Sequence, residues 1–181
     1  MNIEERINEG FRRLSQTAKD WSNPTPEETA AARHELARRR EDGGTLLHGL
    51  ARAGRLGEVA HLLTSDLLLM TASRGETPVH LAIESGYFDQ IPADLLTTEH
   101  LTTSPVGNMS LPIRRLAQAE KLDQLIAKLP DMTDENAAGI AELIFREVPK
   151  AIQPNIGIIQ ALFERFPPKT LAIFMGHMFA A

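Results

Sequence analysis

Two stretches of this chain repeat one another at a fixed distance, and that repetition constrains the fold more than any other feature. Gly44-Thr45-Leu46-Leu47-His48-Gly49-Leu50-Ala51-Arg52-Ala53-Gly54 is echoed 32 residues later by Glu76-Thr77-Pro78-Val79-His80-Leu81-Ala82-Ile83-Glu84-Ser85-Gly86. Self-similarity at such a period marks an array in which each unit is too small to bury its own apolar face and must stack on its neighbours. The second copy has a local reason for each letter. Thr77 is a good N-cap, and Pro78 suits the first helical position, where a missing N–H costs nothing. Val79, Ala82 and Ile83 recur at helical spacing, and Gly86 supplies the left-handed residue that ends the helix. Such a helix has about two turns and does not persist alone in water. Phe88, Ile91, Leu95 and Leu96 form a second apolar pattern broken by Pro92. Two short antiparallel helices per repeat are therefore predicted.

These residues resemble the ankyrin repeat, which opens Gly-x-Thr-Pro-Leu-His-x-Ala and closes its first helix at glycine. The second copy matches best, with Gly75, Thr77, Pro78, Val79 in place of Leu, His80, Ala82 and Gly86. The first keeps Gly43, Thr45, Leu47, His48, Ala51 and Gly54, with Leu46 where Pro is usual. A degraded third copy starts at Gly107-Asn108 and continues Leu111-Pro112-Ile113-Arg114-Arg115-Leu116-Ala117. There Arg114 replaces His and Glu120 replaces Gly, while Leu122-Asp123-Gln124-Leu125 echoes Phe88-Asp89-Gln90-Ile91. The Asp-Gln-Ile-Pro and Leu95-Leu96-Thr97-Thr98-Glu99 wording resembles a bacterial variety of the repeat. The resemblance covers residues 42–129.

The resemblance implies an all-α fold. An ankyrin-like array of about three helix-turn-helix repeats at 42–130 stands between a helical N-terminal cap at 1–41 and a C-terminal helical region at 131–181 that packs on the array. It also implies a function: a non-catalytic module that binds a protein partner through the concave face and turn tips. The family's variable positions fall on Glu41, Asp42, Gly44, Arg52 and Ala53, then on Ser73, Arg74, Glu76, Glu84 and Ser85. In the shifted third copy they fall on Arg115, Gln118 and Ala119. Partner binding is accordingly expected at Asp42, Arg52, Ser73, Arg74, Glu76, Glu84, Ser85, Arg115 and Gln118. That surface carries mixed charge, with arginines suited to bidentate or stacking contacts. His48 and His80 occupy the family's structural position, where the imidazole bonds local backbone and threonine.

Other chemistry has little support in the residues. Without cysteine there is neither disulfide nor thiolate. His34, His61, His100 and His177 show no ligand spacing, so no metal and no cofactor are expected. No nucleophile elbow, phosphate loop or paired-carboxylate motif is present, so the chain does not read as an enzyme. The net charge of −5 argues against a nucleic-acid or anionic-membrane partner. No apolar run reaches the ~18 residues of a membrane span. The N-terminus is charged from Glu4 onward and does not read as a signal peptide. A cytoplasmic protein is the expectation, with a secreted effector left open.

The flanks carry their own patterns. Ile3, Ile7, Phe11, Leu14 and Trp21 make a helical stripe that would seal the open end of the stack or receive a partner helix. Thr25 with Glu28 forms a capping box, and Pro26 starts a second helix. Arg38, Arg39 and Arg40, with Arg33, read either as a phosphate-contacting patch or as favourable charge at a helix C-terminus. Asp131 to Glu142 superficially fits a calcium loop, but Asn136 stands where glycine is needed; Thr133 as an N-cap explains the same letters. The tail from Leu171 to Ala181 is apolar nearly all round. It would bury against the preceding helices or pack against a second copy. Self-association through residues 168–181 gives the rival reading, a structural protein.

Overall fold

The computed structural model describes residues 3–18, 24–103, 110–148 and 164. Every regular element among them is helical. The chain divides into two compact units, the first ending at Ile91 and the second beginning at Pro92.

The first unit opens with α1 (Ile3–Leu14), which buries Ile7 and Leu14. Trp21 lies outside the described residues. Helix α2 (Pro26–Ala37) starts in the expected capping box: the Glu28 amide donates to Thr25 Oγ1 at 3.2 Å, and the Thr25 amide to Glu28 Oε2 at 2.9 Å. Its buried residues are Ala32 and Leu36. Helices α1 and α2 pack on each other and on α3 (Leu46–Ala53), and α3 packs most extensively on α5 (Pro78–Ser85). Leu47, Leu50, Ala51, Val79 and Ala82 are fully enclosed, as the helical spacing requires.

Both repeated helices end in the same way. Gly54 and Gly86 adopt left-handed backbone, with φ of 68° and 85°. The following amides reach back five residues, Arg55 to the Leu50 carbonyl at 2.9 Å and Tyr87 to the Ala82 carbonyl at 2.8 Å. This closure satisfies carbonyls that a helix end would otherwise leave open.

The expected second helices are not regular. Leu56–Leu62 is a 3₁₀ segment kinked at Val59. Phe88–Gln90 and Ala93–Leu95 are single 3₁₀ turns on either side of Pro92, which has no N–H to continue a helix. Each is followed by one extra turn of α-helix, α4 (Ser65–Leu69) and α6 (Thr98–Thr102). Of the expected pattern Phe88, Ile91 and Leu96 are buried and Leu95 is half-buried; in the first copy Leu56, Val59 and Leu62 are buried likewise. In the Leu67 to Met70 run, Leu67 and Leu68 are buried and the other two are half-buried.

The second unit contains α6, α7 (Pro112–Gln118), α8 (Leu122–Lys128), a 3₁₀ turn at Leu129–Asp131 and α9 (Asp134–Glu147). Helices α6, α7 and α9 pack on one another around Leu101, Ile113, Leu116, Ile140 and Ile144. Thr133 is the N-cap of α9, accepting the Asn136 amide at 3.3 Å. Helix α7 closes like α3 and α5, with the Lys121 amide on the Leu116 carbonyl at 2.9 Å. The left-handed position is Glu120, at φ 57°. Arg114, which stands where the other copies have histidine, donates from Nε and Nη2 to Glu147 Oε2 at 3.0 and 2.6 Å. Arg146 Nε donates to the other oxygen of the same buried carboxylate at 3.2 Å. Val106, Gly107 and Asn108 lie outside the described residues, as do His177 and the apolar tail. Among the described residues no helix is long and apolar enough to cross a membrane.

Candidate functional site

Two five-residue turns in the first unit build the candidate site. In each, the first residue's amide bonds the last residue's carbonyl: Arg40 to Gly44 and Ala72 to Glu76, both at 2.8 Å. In each, the glycine amide bonds back to the first carbonyl, Gly43 to Arg40 and Gly75 to Ala72, at 2.9 Å. Gly43 and Gly75 hold φ of 74° and 76°, backbone that a side chain disfavours.

Side chains clip the two turns together. Ser73 Oγ donates to the Asp42 carbonyl at 2.8 Å. Arg39 Nη1 donates to the Gly43 carbonyl of one turn at 3.1 Å and to the Thr71 carbonyl beside the other at 2.8 Å. Arg40 Nη2 donates to the Arg6 carbonyl at 3.0 Å, and Arg33 Nε to the Leu62 carbonyl at 3.1 Å. Thus three of the four arginines read as a phosphate patch or a helix-end charge group act as cross-links to main-chain carbonyls. Arg38 instead lies 3.6 Å from Glu35.

His48 ties helix α3 to the second turn. Its Nδ1 takes the Thr45 amide at 3.2 Å and lies 2.8 Å from the Thr45 hydroxyl, while Nε2 lies 3.1 Å from the Glu76 carbonyl. An amide can only donate and a carbonyl can only accept, so the neutral ring with its proton on Nε2 is selected. Burial holds the His48 pKa below the usual histidine value, against the opposing pull of the Glu76 carbonyl. Thr77 and His80 form the same box, with the Thr77 amide and hydroxyl 3.3 and 2.8 Å from Nδ1. A third box joins Thr97 and His100, with the amide at 3.1 Å and the hydroxyl at 2.8 Å.

That third box was missed in the sequence, although a signal existed. Leu62-Leu63-Thr64, Leu95-Leu96-Thr97 and Met132-Thr133 precede α4, α6 and α9, with the threonines 33 and then 36 residues apart. Thr64 caps its helix through the Leu67 amide at 3.3 Å.

Of the nine expected contact residues, Asp42, Arg52, Ser73, Arg74 and Glu76 line one open cavity of about 420 Å³. Glu84 is exposed and Ser85 half-buried at the end of α5, outside that lining. Arg115, half-buried, and Gln118, exposed, sit on α7 in the second unit. The cavity also recruits Ile3, Arg6 and Arg40, which were not expected. A second cavity of about 370 Å³, between α1, α2 and the first turn, shares Arg6, Arg40 and Asp42 with it. Arg6 pairs with Asp42, whose other oxygen accepts the Gly44 amide at 3.1 Å.

Among the described residues no three His, Asp or Glu side chains converge as a metal site would need. No protein-family model, no curated protein and no solved structure matches this chain significantly.

Proposed function

We propose that this chain is an ankyrin-like repeat protein whose role is non-catalytic binding of a protein partner through the face made by the two turns and helix α3. One observation carries the reading: Asp42, Arg52, Ser73, Arg74 and Glu76, chosen from their place in the repeat, line a single cavity. Their neighbours support it. The turn backbones are held by hydrogen bonds at every fold, so the face is preorganised and its ordering cost on binding is small. Apart from Ile3 its exposed side chains are charged or polar, while Leu46, Leu47, Leu50 and Ala51 of the helix beneath are buried.

Affinity capture from the native cell tests this reading. Wild-type chain should retain at least one protein that an Arg52→Glu, Arg74→Glu double variant loses. Identical sets of captured proteins would remove the turn face from consideration.

A further inference from the structure

The cavity that joins the two turns has an unbalanced charge, in a chain whose net charge is −5. Arg6 and Asp42 neutralise each other. What remains along the lining is Arg40, Arg52 and Arg74 against the single carboxylate of Glu76. None of these three arginines has a carboxylate within salt-bridge distance among the described residues. Arg52 and Arg74 are exposed; Arg40 is half-buried and lines both cavities. A guanidinium carries five N–H donors. Arg40 uses one on the Arg6 carbonyl, so a planar fork remains for an incoming anion.

A second observation points to the same spot. Gly49 lies in the middle of α3, where glycine weakens a helix. Packing does not demand it, since a Cβ there would meet Ile7 Cγ1 at 3.4 Å and Arg40 Nη1 at 4.0 Å, both ordinary contacts. Leu81 stands at the equivalent place in α5. The missing side chain leaves open the space beside the Arg40 guanidinium.

We infer that this cavity is a carboxylate-binding groove, and that the partner enters it as an acidic peptide segment whose Asp or Glu side chains pair with Arg40 inside and with Arg52 and Arg74 at the rim. The inference rests on the protein-binding reading above and names the chemistry of that partner. A nucleic acid fits less well. Three arginines beside the Glu76 carboxylate make no continuous basic track for a phosphate backbone, and no Phe, Tyr or Trp lines the cavity to stack a base.

The test uses the full chain and a fluorescein-labelled decaglutamate peptide read by fluorescence anisotropy, beside labelled decalysine and a labelled ten-residue oligothymidylate. Decaglutamate should bind, and the other two should not. Arg40→Gln should weaken binding about tenfold, and Arg52→Gln and Arg74→Gln about threefold each, the rim positions being more screened. Arg12→Gln, an exposed change on α1 away from both cavities, should leave it unaltered. If Arg40→Gln does not fold, the two rim variants decide. No decaglutamate binding, equal binding of oligothymidylate, or an equal loss in Arg12→Gln overturns the inference. Adding free decaglutamate to the capture experiment separates the two readings. Partners that depend on Arg52 and Arg74 but resist decaglutamate leave the binding face standing and remove the acidic segment. Decaglutamate binding without any captured partner keeps the groove and removes the protein-binding reading.

Discussion

Glu120 shows how a single residue departs from its pattern while keeping its geometry. It occupies the left-handed position that Gly54 and Gly86 fill in the earlier helices, with the same five-residue return bond after it. A side chain there costs about 1 kcal/mol. Glu120→Gly should therefore stabilise the protein by about that amount, read as a rise of about 3 °C in calorimetric Tm. Gly54→Ala is the converse change. Its φ is 68° and its Cβ would lie 2.7 Å from the Tyr87 ring, so a loss of about 1–2 kcal/mol is expected. Gly49→Ala should behave differently from both, because that backbone is ordinary helix. It should gain about 0.5–1 kcal/mol in a urea titration, and a loss would mean that packing, after all, requires the glycine.

At the scale of elements, the ties between segments are polar and specific. His48 must stay neutral to hold α3 against the second turn, since a proton on Nδ1 would abolish acceptance from the Thr45 amide. Its folded pKa lies below the ordinary 6.5, so the unfolded chain binds the extra proton first. The stability it contributes is complete above pH 6.5 and is lost as pH falls through that value towards the folded pKa. Between pH 7 and 5 the wild type should lose stability more steeply than His48→Gln, measured by urea midpoint; parallel slopes would exclude this histidine as the cause. In the second unit, Glu147 is held by Arg114 and Arg146. Glu147→Gln should cost about 1–3 kcal/mol, less than a fully buried pair because the Arg114 side chain is 34% exposed. An Arg114→Met, Glu147→Met double variant should recover most of it, since the buried carboxylate and Arg114 then leave together and Arg146, with its side chain 56% exposed, is left to solvent.

Over the whole molecule, recognition is expected to be electrostatic in character. Raising ionic strength from about 0.1 to 1 M shortens the screening length from about 10 to 3 Å. Capture of the partner should weaken across that range, and salt-insensitive capture would point to apolar contacts instead. The helical class, the two repeated helices, the Thr25 capping box and the glycine ends were legible in the letters, because each depends on neighbours three to five residues away. The 3₁₀ course of the second segments was hidden: the apolar spacing of Phe88, Ile91 and Leu95 suits a helix, and only Pro92 signals the break. The Thr97–His100 box escaped for another reason, since its threonine belongs to a second series out of step with Thr45 and Thr77.

The candidate site divides along the same line. Its turn residues, Asp42, Ser73, Arg74 and Glu76, were expected from the resemblance to the ankyrin repeat, whose variable positions they occupy; the period adds only that the two copies make the same local turn. Arg6 and Arg40 follow from nothing local. Arg6 joins the lining because α1 packs on α3, and Arg40 bends towards it by way of a main-chain carbonyl 34 residues away. Local hydrogen bonding, written in short spacings, determined the caps and the turns. Which charges those turns share a cavity with was decided only when distant apolar faces were buried against one another.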